Sequence, residues 1–288
     1  MVESKKTITL NNGVIMPLIG YGVFQVSPEE CERCVSDAIS VGYHAIDTAQ
    51  AYFNEEGVGN AWRKSGVSRD ELFITTKIWI SNFTGNKAAK SIDDSLRKLQ
   101  TEYIDLLLLH QNFGDCYNAY RAMEDALRAG KVRAIGVSNF YYDRFVDIVD
   151  NMDIKPAINQ IETHVFCQQR KMQEVCDKFD TKLTAWGPFA EGQNGLFTNS
   201  TLKEIGSRYG KTAAQVALRF LIQKDIIVIP KSTHKDRMEQ NLDVLDFTLS
   251  DKEMTEITKF DLGHPLIANF EDWNIRLSMQ QMLKKYNV

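Results

Sequence analysis

No stretch of the 288-residue sequence is apolar and uncharged over the ~18 residues that a membrane-spanning helix requires. The first ten residues carry Lys5 and Lys6 and lack the apolar run of about 7–15 residues that marks a secretory leader. The chain is therefore expected to be cytoplasmic, with no membrane partner. It also lacks a basic excess: 34 Lys and Arg against 38 Asp and Glu leave a net charge of -4, so nothing draws the whole molecule to nucleic acid. Cysteine is scarce. The five (Cys31, Cys34, Cys116, Cys167 and Cys176) are odd in number in a chain too large to need disulfides, which suits a reducing compartment. Cys31 and Cys34 form a CxxC within an amphipathic helical pattern, without a second Cys or His pair at ligand spacing; they read as two thiols on one helix, and no metal is expected. Pro/Ser-rich linkers, low-complexity tracts and repeats are missing too, which argues for one domain over residues 1–288. With 43% hydrophobic and 25% charged residues, such a chain can bury a substantial core.

What is present is an alternation. Residues 7–20 place apolar side chains on either side of Asn12-Gly13, a pair that tolerates the positive φ of a type I′ turn, and this predicts an N-terminal hairpin within residues 1–17. Short β-rich runs then alternate with helical patterns. Strands are predicted at residues 19–23, 44–48, 73–78, 104–110, 133–138, 157–161, 183–187 and 226–230. IDLLLL and IIVIP are nearly continuous apolar runs, as strands buried on both faces require. Ser27-Pro28-Glu29-Glu30 opens the first helix and Gly42 closes it, with Gly66, Gly130 and Gly210 at comparable ends. Two further helices, at 234–244 and 250–259, are additions near the C-terminus ahead of a tail at 262–288. Eight βα units in this order predict an α/β fold, a (β/α)8 TIM barrel.

In such a barrel the working groups project from the C-terminal strand ends and the loops that follow. Asp47 ends HAID, Tyr52 follows in TAQAY, Lys77 ends FITTK and His110 ends DLLLLH. Singly each has an ordinary explanation as a cap, a rim packer, a solvated lysine or a satisfied core histidine. Jointly, titratable groups at three successive strand ends are not something packing asks for. Beyond the last strand, Lys231, Lys235 and Arg237 gather positive charge beside Ser232, Gln240 and Asn241. By composition this is equally a solvated charge run and a phosphate site, for which the arginine fork is suited.

The segments GYGVF, AIDTAQAYFNEEGVGNAW, FITTKIW, YIDLLLLH, GKVRAIGVSNF, INQIE and IPKSTHKDRMEQN resemble, in order, the motifs of the aldo-keto reductase family over about residues 7–260, nearest its diketogluconate and glyoxal reductase branch. The resemblance implies NADPH-dependent reduction of a small aldehyde or ketone, such as a dicarbonyl or a sugar. It makes Asp47, Tyr52, Lys77 and His110 a catalytic tetrad, with Tyr52 as general acid. It assigns Ser138, Asn139 and Gln160 to the nicotinamide carboxamide, Trp186 to stacking on the nicotinamide, and the Lys231–Asn241 segment, with Ser232, Arg237 and Gln240, to the phosphate and adenine end. No GxGxxG follows a strand, so a Rossmann site is not expected. The nearby Lys77 ammonium is expected to lower the Tyr52 pKa toward working pH.

Phe24, Trp79 and Phe113 are expected as apolar pocket walls, while Trp273 suits wall or core. The short loop after His110 and the short tail predict an open mouth and broad substrate acceptance. Departures from the family pattern are His110-Gln111-Asn112 where many members have His-Trp-Pro, Trp186 for the commoner Tyr, THVF for a run with Tyr-His-Pro, and Gln240 for a Glu. Two other readings stand beside this one: a barrel lyase with a Schiff base on Lys77, and a barrel that holds NADPH without turnover. A monomer is expected.

Overall fold

The computed structural model describes residues 6–285, with side chains through Gln281; expectations for residues 1–5 and 286–288, at the two ends of the predicted domain, lie outside them. A hairpin of β1 (Thr7–Thr9) and β2 (Ile15–Pro17) leads the chain. Its turn is not type I′. Gly13 takes φ +84° but Asn12 is not among the positive-φ residues, and the loop instead closes through the Leu10 N–H on the Val14 carbonyl at 2.8 Å. Asn12 gives its side-chain N–H to the Arg133 carbonyl, so it tethers the hairpin to the rest of the chain.

The main sheet has eight parallel strands in sequence order: β3 (Tyr21–Gly22), β4 (Ala45–Asp47), β5 (Phe73–Ile78), β6 (Ile104–Leu109), β7 (Val132–Ser138), β8 (Ile158–Glu162), β9 (Lys182–Trp186) and β10 (Ile227–Val228). A parallel bridge between Ile19 and Val228, with the Gly20 N–H on the Val228 carbonyl at 2.9 Å, joins the two ends and closes the barrel. The predicted strands match these within about two residues. The first and last are shorter than expected, because barrel closure there runs through single bridges and not through a full ladder. Every residue of β6 is buried, as its unbroken IDLLLL implies.

Helices α1 (Pro28–Ser40), α2 (Glu55–Lys64), α3 (Lys87–Leu99), α4 (Cys116–Arg128), α5 (Tyr142–Asn151) and α6 (Arg170–Asp177) follow successive strands from β3 to β8. The Ser27 hydroxyl caps α1 as the Ser-Pro-Glu-Glu run predicts. Between β9 and β10 come two helices, α7 (Ser200–Tyr209) and α8 (Ala213–Ile222). After β10 come α9 (Lys235–Leu242) and α10 (Asp251–Thr258), and then α11 (Trp273–Lys285) in the tail. The five cysteines are buried and unpaired, Cys31 and Cys34 both on α1.

Packing between strands leaves little slack. A Cβ at Gly136 of β7 would lie 2.5 Å from the Ile158 carbonyl oxygen and 2.8 Å from Leu108 Cδ2. Gly136→Ala is expected to cost about 1–3 kcal/mol, read as a lower urea midpoint at constant m-value. An unshifted midpoint would show that the strands can part there.

Candidate active site

The C-terminal strand ends open into a cavity of about 900 Å³. Its floor includes Asp47, Tyr52 and His110, its walls Phe24, Trp79 and Trp186. Asp47 is the last residue of β4, Lys77 lies near the end of β5, and His110 follows β6 directly. Tyr52 sits on a single 3-10 turn, Gln50–Tyr52, after β4. Phe53 then takes φ +56°, which turns the chain into α2.

The Lys77 side chain is fully buried, an arrangement that charge tolerates only when paired. Its Nζ donates to Asp47 Oδ1 at 2.5 Å and to the Thr48 carbonyl at 2.8 Å, and reaches the Tyr52 hydroxyl at 3.4 Å. Burial lowers the pKa of this ammonium, but the Asp47 carboxylate and the Tyr52 oxygen outweigh it and hold the pKa above the usual lysine value. An amine kept charged in this way is a poor nucleophile, which argues against Schiff-base chemistry on Lys77.

Burial also pushes the Tyr52 phenol up, and it outweighs the opposing pull of Lys77. The expected lowering of this pKa is thus corrected: water exclusion dominates, and the phenol stays protonated. His110 stands edge-on to Tyr52, with ring centroids 5.5 Å apart, and to Trp79, at 5.0 Å. Burial, and then the charge of Lys77, holds its pKa well below the ordinary histidine value, so the ring is neutral. Its Nδ1 is buried without a hydrogen-bond partner.

The other half of the mouth is wired to this group. Gln160 Nε2 donates to Asp47 Oδ2 at 2.7 Å, so one carboxylate holds Lys77 with one oxygen and Gln160 with the other. Ser138 Oγ donates to the Gln160 carbonyl at 2.9 Å. Asn139, at φ +63°, donates to the His110 carbonyl at 3.0 Å and accepts from Trp186 Nε1 at 2.9 Å. These four residues all line the cavity.

A sequence family model matches residues 18–262, most of the chain, and its description is the aldo/keto reductase family. The chain belongs to the aldo/keto reductase family. It is 40% identical over 262 residues to the methylglyoxal reductase DkgA of Escherichia coli K12, an alignment that covers 90% of this chain and 94% of that protein. It is 41% identical over 255 residues to the glyoxal reductase of Bacillus subtilis strain 168, covering 88% and 92%. Its fold matches the crystal structure of a Bombyx mori aldo-keto reductase in complex with NADP at a TM-score of 0.88 and 33% identity, over 95% of this chain and 98% of that one. It is accordingly an oxidoreductase, a carbonyl reductase on a TIM barrel.

Within this aldo/keto reductase the remaining predicted residues divide. Lys231 lines the cavity. Ser232 is buried just beyond it, its carbonyl accepting from the Tyr21 hydroxyl at 2.5 Å. Arg237 and Gln240 are exposed on α9 and Asn241 is buried there, all outside the cavity lining. Lys231, Lys235 and Arg237 are exposed around the start of α9 and make no ion pair among the described residues. Phe24 is 52% exposed at the rim and packs on Tyr52, with ring centroids 5.1 Å apart. Phe113 does not reach the mouth: it is 3% exposed in the core, where the Arg276 guanidinium covers its ring, so its assignment as a wall is corrected. Trp273 is 66% exposed on α11 and is neither wall nor core.

The expected open mouth is corrected as well. Ile267, Ala268, Phe270 and Met279 of the tail line the cavity, together with Phe189 and Phe197 of the segment after β9. The strand pattern gave no sign of them, because they lie in irregular and helical segments outside the eight βα units and not at strand ends. No helix of the described residues is long and apolar enough to cross a membrane, and no metal-binding cluster occurs among them.

Proposed function

We propose that this reductase uses NADPH to reduce small aldehydes and ketones, in particular dicarbonyls of the methylglyoxal and glyoxal kind, with Tyr52 as general acid. The observation that carries the reading is a charged, wholly buried Lys77 held by Asp47 within 3.4 Å of a phenol at the floor of an apolar cavity. The names and identities of the E. coli and B. subtilis relatives support the dicarbonyl class.

The dinucleotide fits the donor set. Gln160 spends its N–H on Asp47, and its side-chain carbonyl is left to accept from a carboxamide, while Asn139 and Ser138 stand beside it. A Cβ at Gly22 in the cavity wall would lie 2.8 Å from the Ile229 carbonyl oxygen, so this wall is held back to bare backbone. Lys231, Lys235 and Arg237 supply the cationic end that a 2′-phosphate needs, at a helix start that favours anions. Ser232, Gln240 and Asn241 are assigned to the same end, and Trp186 to the nicotinamide face. When bound, reduced nicotinamide supplies the hydride.

The residues of the chain do the rest. Neutral His110 donates a hydrogen bond that aims the substrate carbonyl oxygen at Tyr52. Tyr52 gives that oxygen its proton, and Lys77 stabilises the phenolate left behind. Asp47 keeps Lys77 charged. Phe24 and Trp79 receive the apolar side of the substrate. The five free buried thiols support the cytosol as the place of work, with the chain acting as a monomer over one domain.

The test is the loss of NADPH absorbance on adding glyoxal, methylglyoxal or phenylglyoxal. Tight NADPH binding with no turnover over that panel would leave a cofactor-holding protein and overturn the reading. For cofactor choice, Arg237→Ala is expected to weaken NADPH about 10- to 100-fold, the size of a lost charge-assisted hydrogen bond, and NADH far less. Equal weakening of both, measured as dissociation constants, would remove Arg237 from the phosphate site.

A further inference from the structure

Glu162 closes β8, opposite Trp186 in the register with β9, and is wholly buried. Its carboxylate belongs to the tail. Oε1 accepts from the backbone N–H of Leu266 at 2.5 Å and of Ile267 at 3.0 Å, and Oε2 accepts from Ala268 at 2.9 Å. His164 Nε2 stands 3.1 Å from Oε1, and because its Nδ1 accepts from the Phe166 N–H at 3.2 Å, the ring proton is assigned to Nε2 and points at Glu162. Successive backbone N–H groups make a concave anion seat. Burial raises the pKa of this carboxyl, but His164 and the three amides outweigh it and keep it ionised.

The strap so held faces the mouth. Ile267 and Ala268 line the cavity, and Phe270 meets the edge of Trp186 with ring centroids 6.4 Å apart. Ile267 lies over Gly187, where a Cβ would come within 2.9 Å of its Cδ1, so the floor under the strap is shaped to receive it. Nothing in the proposed proton transfer uses Glu162. A carboxylate that takes three amides of a segment with no strand or helix of its own fixes where that segment's side chains stand.

We propose that Glu162 is a positioning residue for carbonyl reduction, whose buried carboxylate straps residues 266–268 across the Trp186 side of the mouth and thereby sets the acceptance of aromatic substrates and the departure of the dinucleotide. The inference rests on the reductase reading above. In Glu162→Gln one oxygen remains to accept, but the other becomes an NH2 that faces a strap N–H and the charge is lost, so the strap is held far less tightly.

Three measurements on the full chain test it. Amide hydrogen exchange at residues 266–268 is expected to accelerate by at least about tenfold in Glu162→Gln, since local opening loses its main constraint. The KM for phenylglyoxal relative to methylglyoxal is expected to rise about tenfold, as the apolar wall is lost, and NADPH release, followed by tryptophan fluorescence, to quicken. Ile267→Ala should reproduce the change in KM ratio without the change in exchange at Leu266, and the two substitutions together should shift that ratio by less than the product of their separate effects. Unchanged exchange in Glu162→Gln overturns the strap, and faster exchange with an unmoved KM ratio and release rate overturns its role. Should Glu162→Gln fail to fold, an unmoved KM ratio in Ile267→Ala overturns the proposal. If the unsubstituted chain reduces no carbonyl, the reductase reading falls, while the exchange result still decides whether the strap exists.

Discussion

Tyr52→Phe lowers kcat by about 10²–10⁴-fold, the range typical for loss of a positioned general acid, while NADPH still binds and the fold holds. The substitution removes one oxygen. Among the described residues that oxygen makes one hydrogen bond, the 3.4 Å approach of Lys77, so stability should change by about 1 kcal/mol or less. The ring itself stays, and with it the packing on Phe24 and the edge contact with His110. Loss of turnover with retained NADPH affinity and an unchanged melting temperature would therefore assign the proton. Near-normal kcat would show that some other group, or water, delivers it.

The direction of the Tyr52 shift adds a pH signature. A general acid works in its protonated form, and burial holds this phenol above its ordinary pKa of about 10 against the pull of Lys77. The reduction rate should then stay level from about pH 6 through pH 9 and fall only in the alkaline range. Neutral His110 does not interrupt that plateau, because its pKa lies well below the ordinary value. A fall in kcat beginning near neutrality would mean that Lys77 lowers the phenol more than burial raises it.

The barrel was readable in the sequence because closed parallel sheets write themselves as apolar runs. IDLLLL, FITTKI and INQIE are strands almost to the residue, and the groups at their C-terminal ends follow from barrel geometry alone. Electrostatics was less readable. That Lys77 neighbours Tyr52 follows from strand order, but which of charge and burial wins is a property of the packed site. Phe113 shows the limit for apolar residues: an aromatic after a strand end suits wall and core equally, and only packing under Arg276 decides. The tail was the largest omission. Its signal lay elsewhere in the chain, in a carboxylate ending a buried strand with a histidine two residues on. A buried acid whose one neighbour in sequence is a single histidine should prompt a search for backbone donors, and here the donors lie more than a hundred residues away.

Lys77→Met is expected to cost stability as well as activity. It removes the only cation that pairs with Asp47 among the described residues and leaves a 5% exposed carboxylate with one remaining hydrogen bond, from Gln160. Breaking one side of a buried ion pair typically costs about 3–5 kcal/mol, a large part of a total of about 5–15 kcal/mol. The pH dependence follows from the sign of the lysine shift. Because the folded-state pKa is raised, the stabilisation by Lys77 is complete below the unfolded value of about 10.4 and is lost as pH rises through the folded value. The stability gap between the two proteins, from urea melts, should therefore be constant from neutral pH to about pH 10 and shrink in stronger alkali. Adding Asp47→Asn removes the stranded charge while keeping a carbonyl for Gln160, so the double variant should regain most of the lost stability. Turnover should not return, because no ammonium remains to stabilise the Tyr52 phenolate. If the double variant melts no higher than Lys77→Met, the loss comes from packing of the lysine stem, and the Asp47–Lys77 pair holds the site together less than its geometry implies.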